Sequence, residues 1–135
     1  MVQVCLIRRK TSGKWGIPKG YIDRGYNHTQ AALAEAHEEA GLDGYLKGNM
    51  IGTYEYEKGL LRLTVAVYVM EVVAEQTTWP EMRWRERRWC STEEAGALLT
   101  RHHVWAVYDR IRPLFATMSP NTLLQAPGGI EPEEH

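Results

Sequence analysis

The sequence predicts an α+β fold: a mixed β-sheet with helices packed on both faces, an α/β/α sandwich. Three observations point to it. Strand-like apolar runs and helical patterns interleave along the chain. Lys58-Gly59, between two such runs, supplies a hairpin turn and hence antiparallel pairing. The stretch His28 to Ala40 carries both a start and a stop signal for a helix.

Val2 to Arg9, rich in Val, Leu and Ile, reads as the first strand. Thr11, Ser12 and Gly13 mark a turn, and the short apolar segment Trp15 to Ile17 stops at Pro18. Gly20 to Gly25 is a loop. In the helix that follows, Asn27 is the cap, Gln30 approximates a capping box, five alanines favour helix, and Gly41 is the terminator. Leu46 to Tyr56 and Leu60 to Val73 read as strands. In the second run, Leu61, Leu63, Val65, Val67 and Val69 alternate with a more mixed set, which suits a strand buried on both faces. A loop around Trp79-Pro80 leads to a strand over Met82 to Cys90. Ser91 and Glu94 box the start of a helix to Leu99. His102 to Phe115 is an amphipathic helix with Val104, Val107, Tyr108 and Ile111 near one face, ended or kinked by Pro113. From Ser119 onward Pro, Gly and Glu dominate. The expected organisation is one domain over residues 1–118 and a flexible tail over 119–135.

Composition narrows the function classes. With 44% hydrophobic and 24% charged residues, the 135-residue chain can build one core. Sixteen Lys and Arg against seventeen Asp and Glu give a formal charge of −1, which excludes a generally basic nucleic-acid coat. A nucleic-acid polymer is not an expected partner. Leu60 to Ala74, interrupted by Arg62 and Glu71, falls short of the ~18 to 20 apolar residues that span a bilayer. The N-terminal apolar stretch precedes its charges, the reverse of a secretory signal, so a cytoplasmic location is expected. Cys5 and Cys90 have no zinc-ligand spacing and read as packing thiols.

The chemistry concentrates between Gly20 and Leu42. Glu35, Glu38 and Glu39 stand at i, i+3 and i+4 of the helix and project within an arc of about 100°. Like charges so placed repel. A solvated acidic face would show the same spacing, but Gly13, Gly16, Gly20 and Gly25 nearby allow close backbone approach, and Lys14 and Lys19 can hold phosphate. The hard cations Mg2+ and Mn2+ take such oxygen ligands together with substrate phosphates.

This segment resembles the Nudix hydrolase signature, in which a glycine is followed at fixed spacing by Glu, then Arg-Glu, then Glu-Glu and Gly. Gly20, Glu35, Glu38, Glu39, Gly41 and Leu42 stand in register with it. Tyr26 and Ala34 stand where the signature has its first Glu and its Arg. In the family those two form an ion pair beside the metal site; their joint loss leaves no orphan charge. RRKTSGKWGIPKG and WPEMRWRERRW are similar to segments of the bacterial diphosphoinositol-polyphosphate phosphohydrolase-like branch.

The resemblance implies an Mg2+- or Mn2+-dependent phosphohydrolase that cleaves a diphosphate bond with water. The implied substrate is nucleoside-diphosphate-linked or polyphosphorylated, such as a diphosphoinositol polyphosphate or a dinucleoside polyphosphate. It implies Glu35, Glu39 and the Gly20 carbonyl as metal ligands. Glu38 is a further ligand or the base that takes the water proton; base is the role assigned. Glu75 and Glu81 flank a loop where some members place a further ligand or base. Lys14, Lys19, Arg62 and Arg85 are candidate substrate contacts. Arg62 either reaches substrate or pairs with a carboxylate such as Glu55, and Arg83, Arg85 and Arg87 share one strand face, which is either an ordinary exposed sheet face or a polyphosphate rim. The alternatives are a pyrophosphatase of the same superfamily acting on ADP-ribose or the nucleotide pool, and a non-catalytic nucleotide sensor, which Tyr26 and Ala34 favour.

Overall fold

The structure, a computed structural model, describes residues 1–11, 13–22 and 25–131. Ser12 of the expected first turn, Asp23 and Arg24 of the expected loop, and residues 132–135 of the expected tail lie outside them. The elements in chain order are β1 (Gln3–Arg9), β2 (Lys19–Tyr21), α1 (His28–Ala40), β3 (Leu42–Leu46), β4 (Gly52–Lys58), β5 (Leu61–Val67), β6 (Met70–Glu75), β7 (Arg85–Ser91), α2 (Thr92–Leu98), α3 (His102–Phe115), β8 (Leu123–Gln125) and β9 (Gly128–Glu131).

The α+β class holds, with two mixed sheets where the sequence suggested one. The strand orders are β3-β6-β8-β1-β7 and β2-β9-β5-β4. The apolar run after Lys58-Gly59 divides at Tyr68 and Val69: β5 joins the second sheet and β6 the first. Both residues are buried, so no polar break marks the crossing. The backbone there stays satisfied: Tyr68 N–H donates to Pro127 O, and Val69 O accepts from Lys47 N–H.

Alternation along the strands sorts the core. Val4 and Leu6 of β1, with Leu63, Val65 and Val67 of β5, pack with Val104, Val107, Tyr108 and Ile111 of α3. Cys5 and Ile7 point the other way, toward Ala36 and Ala40 of α1. Ala66 of β5 packs with Ala32 of α1. Helices therefore cover opposite faces. Pro113 falls in the last turn of α3, which runs on to Phe115. Cys5 and Cys90 are free and buried, as expected of packing thiols. No helix among the described residues is long and apolar enough to cross a membrane.

The expected tail is the largest correction. β8 lies between β6 and β1, parallel to β1, and β9 lies between β2 and β5, parallel to β2. Leu124 and Ile130 are core residues. The Pro- and Gly-rich composition conceals these strands, because both residues are depleted in sheets. β9 fixes β2 directly: Gly20 stands opposite Gly129, Gly128 N–H donates to Pro18 O at 2.9 Å, and Ile22 N–H donates to Ile130 O at 3.2 Å. His28 Nε2 meets Glu131 Oε1 at 2.5 Å, which ties the end of β9 to the first turn of α1.

Each of these contacts has a measurable consequence. A chain ending at Met118 loses an interior strand from both sheets and should lose cooperative unfolding in urea. An unchanged sharp transition would show β8 and β9 to be dispensable. Tyr108 Oη donates to Thr92 O at 2.6 Å, and burial pushes its ionisation up to about 12 from 10.0. The folded state thus holds this proton more tightly than the unfolded chain, so the associated stability is present below pH 10 and is lost as pH rises toward 12. Tyr108→Phe should cost about 1 kcal/mol at neutral pH and flatten that alkaline decline, read from urea midpoints across pH.

Candidate metal and phosphate site

The site is built on α1. Asn27 caps it: the side chain accepts from Gln30 N–H at 2.8 Å, and Asn27 N–H donates to Gln30 Oε1 at 2.9 Å. Gly41 ends it in the left-handed region at φ 66°, where its N–H reaches Ala36 O and His37 O. Ala31, Ala32, Ala36 and Ala40 face the core and turn the three glutamates to the flank. Glu35 is half-buried, Glu38 exposed, and Glu39 only 4% exposed.

Carboxylate oxygens of Glu35, Glu38 and Glu81 lie within 4.8 Å of one another. Glu81 arrives from the loop before β7, where its N–H donates to Glu38 O at 3.0 Å. Gly20 presses against Glu35. A Cβ at position 20 would lie 2.1 Å from the Glu35 carboxyl carbon, so only glycine leaves room for that side chain. Three hard oxygen donors at this spacing fit a divalent cation such as Mg2+ or Mn2+, whose charge would offset their repulsion.

Glu39 was expected in this trio and points elsewhere. Its Oε2 accepts Lys19 N–H at 2.8 Å, and its Oε1 meets Arg85 Nη2 at 2.7 Å. Burial pushes its carboxyl up to about 8, opposed by Arg85, reinforced by Glu35, and opposed again by the Lys19 N–H. Arg85 also donates through Nε to Glu81 Oε1 at 2.7 Å, so one guanidinium bridges the two acids.

A cleft of about 400 Å3 opens beside these acids. Lys14, Lys19 and Arg85 line it, joined by Arg8, Arg9, Lys58 and Arg101, with Glu39 as the carboxylate in the lining. Burial, and after it the neighbouring Arg101, lowers the Lys19 ammonium pKa. Arg62 does not line the cleft. It lies at the exposed start of β5 opposite Glu57, while Glu55 stands opposite Thr64. Strand alternation sets it on the other face from Leu63. The expected arginine rim also divides. Arg83 is exposed in a turn, and Arg87 donates to Ala40 O and Gln76 O at 2.7 and 2.6 Å. Arg9, Lys58 and Arg101 escaped sequence reasoning. They come from the end of β1, the end of β4 and the residue before α3, and only the tertiary fold brings them together.

Comparison with known proteins follows the same lines. A family model for the NUDIX domain matches residues 2–114, so β8 and β9 lie beyond the matched segment. The chain is 33% identical over 105 residues to Nudix hydrolase 16, mitochondrial, of Arabidopsis thaliana, covering 70% of this chain and 57% of that protein. Nudix hydrolase 4 of the same plant is 31% identical over 97 residues, covering 70% and 46%. The chain thus spans about half the length of these curated relatives. The solution structure of the E. coli ORF135 protein shares the fold, with TM-score 0.57 at 17% identity over 88% of this chain and 90% of that one. The match over residues 2–114, together with these relatives, establishes that the chain belongs to the NUDIX family.

Proposed function

We propose that this protein is a divalent-metal-dependent phosphohydrolase that cleaves a diphosphate bond in a small, highly phosphorylated molecule. The single observation that carries the reading is the meeting of three carboxylates, Glu35, Glu38 and Glu81, with a cation-lined cleft. In this reading Glu35 and Glu81 would hold the ion together with the Gly20 carbonyl, Glu38 stands beside it as the base, and Glu39 steadies Lys19 and Arg85 next to them. The ion, Mg2+ or Mn2+, supplies charge neutralisation on the transferring phosphoryl group and makes water a better nucleophile. Glu38, the exposed member, accepts the water proton. Lys14, Lys19, Arg9 and Arg101 grip the flanking phosphates.

Density of positive charge favours a polyphosphorylated substrate, such as a diphosphoinositol polyphosphate or a dinucleoside polyphosphate. Trp79, Trp84, Trp89 and Trp105 are outside the cleft lining, so they offer no platform there for a nucleobase; the aromatic side chain in the lining is Tyr21. Two buried free thiols accord with a reducing, cytoplasmic setting. A second reading, a sensor that binds without turnover, is favoured by Tyr26 and Ala34 standing in place of the signature's charged pair.

Phosphate release from a panel of diphosphate compounds with Mg2+ or Mn2+ separates the two. Turnover should appear, and Glu38→Gln should lower kcat by about 10²- to 10⁴-fold while the metal-free urea midpoint stays at or above that of the wild type. Tight ligand binding with no turnover on any compound would establish the sensor instead. Gly20→Ala offers an orthogonal probe. The added methyl must displace the flexible end of Glu35 rather than backbone, so Mn2+ affinity and kcat should fall while thermal stability changes little.

A further inference from the structure

We propose that Trp79 and Arg87 are positioning residues for the reaction, acting through the backbone at the C-terminal end of α1, the helix that bears the glutamates, rather than on the substrate. The proposal rests on the metal-site reading above. An α-helix leaves its last four carbonyls without partners inside the helix, and most exposed helices give them to water. Here successive carbonyls at the end of α1 take donors from one segment, residues 76–87. Glu38 O accepts Glu81 N–H at 3.0 Å, and Glu39 O accepts Trp79 Nε1–H at 3.0 Å. Ala40 O accepts Arg87 Nη1–H at 2.7 Å, and Gly41 O accepts Gln76 N–H at 2.8 Å.

Gly41 already closes the helix through its own N–H, so these donors are additional to an ordinary cap. They fall on Glu38, whose carboxylate joins the acid cluster, on Glu39, whose carboxylate holds Lys19 N–H and Arg85, and on the two residues that follow, Ala40 and Gly41. Arg87 is held in turn on three sides. Nη2 donates to Gln76 O at 2.6 Å and meets Glu75 Oε1 at 3.1 Å, and the guanidinium lies 4.1 Å from the centre of the Trp79 ring. A Cβ at position 41 would come within 2.8 Å of Trp79 Cβ and 2.9 Å of Arg87 Nη1, so the clamp closes over a glycine. The same segment carries Glu81 and leads into Arg85. One set of hydrogen bonds therefore registers the helix-borne acids against the loop-borne acid. A positive charge at the helix C-terminus also suits its dipole.

Two conservative variants test this. Trp79→Phe keeps the ring beneath Arg87 and removes only the donor to Glu39 O; Arg87→Lys keeps the charge and loses the fork that spans Ala40 O and Gln76 O. Manganese affinity is read by electron paramagnetic resonance of free Mn2+. Kinetics on the best substrate are then separated into kcat and KM. Each variant should weaken Mn2+ binding about tenfold and lower kcat by a similar factor, with KM within twofold. Tyr108→Phe, which loses a hydrogen bond on the opposite face, serves as the stability-matched control and should leave Mn2+ affinity unchanged. Should Arg87→Lys fail to fold, Trp79→Phe decides. Variants that lower the melting temperature while Mn2+ affinity and kcat stay at the wild-type level would reduce the clamp to a structural role and overturn the proposal. Wild-type protein that binds no Mn2+ would overturn the site reading itself, a distinct outcome.

Discussion

Gathering Glu35, Glu38, Glu39 and Glu81 around the end of α1 sets two like charges against each other wherever a pair meets. At 4.8 Å the repulsion is roughly 3 kcal/mol per pair for an effective dielectric of 20, and less where water reaches in, as at Glu38. The chain offsets the buried part of this cost internally. Arg85 spans Glu39 and Glu81, and Lys19 N–H satisfies the other Glu39 oxygen. The more accessible part, Glu35, Glu38 and Glu81, shares one small space on the side that an ion can reach. Glu81 belongs to both groups and joins them.

The same division shapes the cleft. Seven cationic side chains line it against one carboxylate, the inverse of the acid cluster next door. A ligand rich in phosphate would meet positive charge along its length and divalent charge at its scissile end. Placement of the two regions depends on strands far apart in sequence. β2 carries Lys19 and Gly20, and it is held along its length by β9, more than a hundred residues later. β7 carries Arg85 and pairs with β1, whose last residue is Arg9.

How much of this was legible in the sequence depended on how local the signal was. α1 was read with both ends correct, because Asn27, Gln30 and Gly41 act within one turn of the helix. The Ser91–Glu94 box and the extent of α3 were legible for the same reason. Periodicity also placed Glu35 and Glu38 on one flank. It did not separate Glu39 from them, because 40° of helix phase decides whether a carboxylate faces the cluster or turns toward Lys19 and Arg85. Glu81, more than forty residues from any of its partners on α1, has no spacing rule and was named only through the family resemblance. β8 and β9 were hidden by composition. Three prolines and two glycines between residues 119 and 135 read as loop, and the burial of Gly128 and Gly129 follows only from the gap between β5 and β2 that β9 fills.

Tyr26 and Ala34 can be understood in these terms. The family signature has a glutamate and an arginine at these positions, and here the first is 49% exposed while the second is a small residue on the helix. Had only the glutamate been lost, an arginine would stand beside the carboxylates without its partner; had only the arginine been lost, one more acid would join an already repulsive group. Both changes together avoid either cost. The cation that neighbours the acids comes from β7, where Arg85 contacts Glu39 and Glu81 with the bidentate reach that a guanidinium allows. Its position follows from the pairing of β7 with β1 and from the donors that residues 76–87 send to α1, so the electrostatics of the site are set by the sheet as much as by the helix that bears the glutamates.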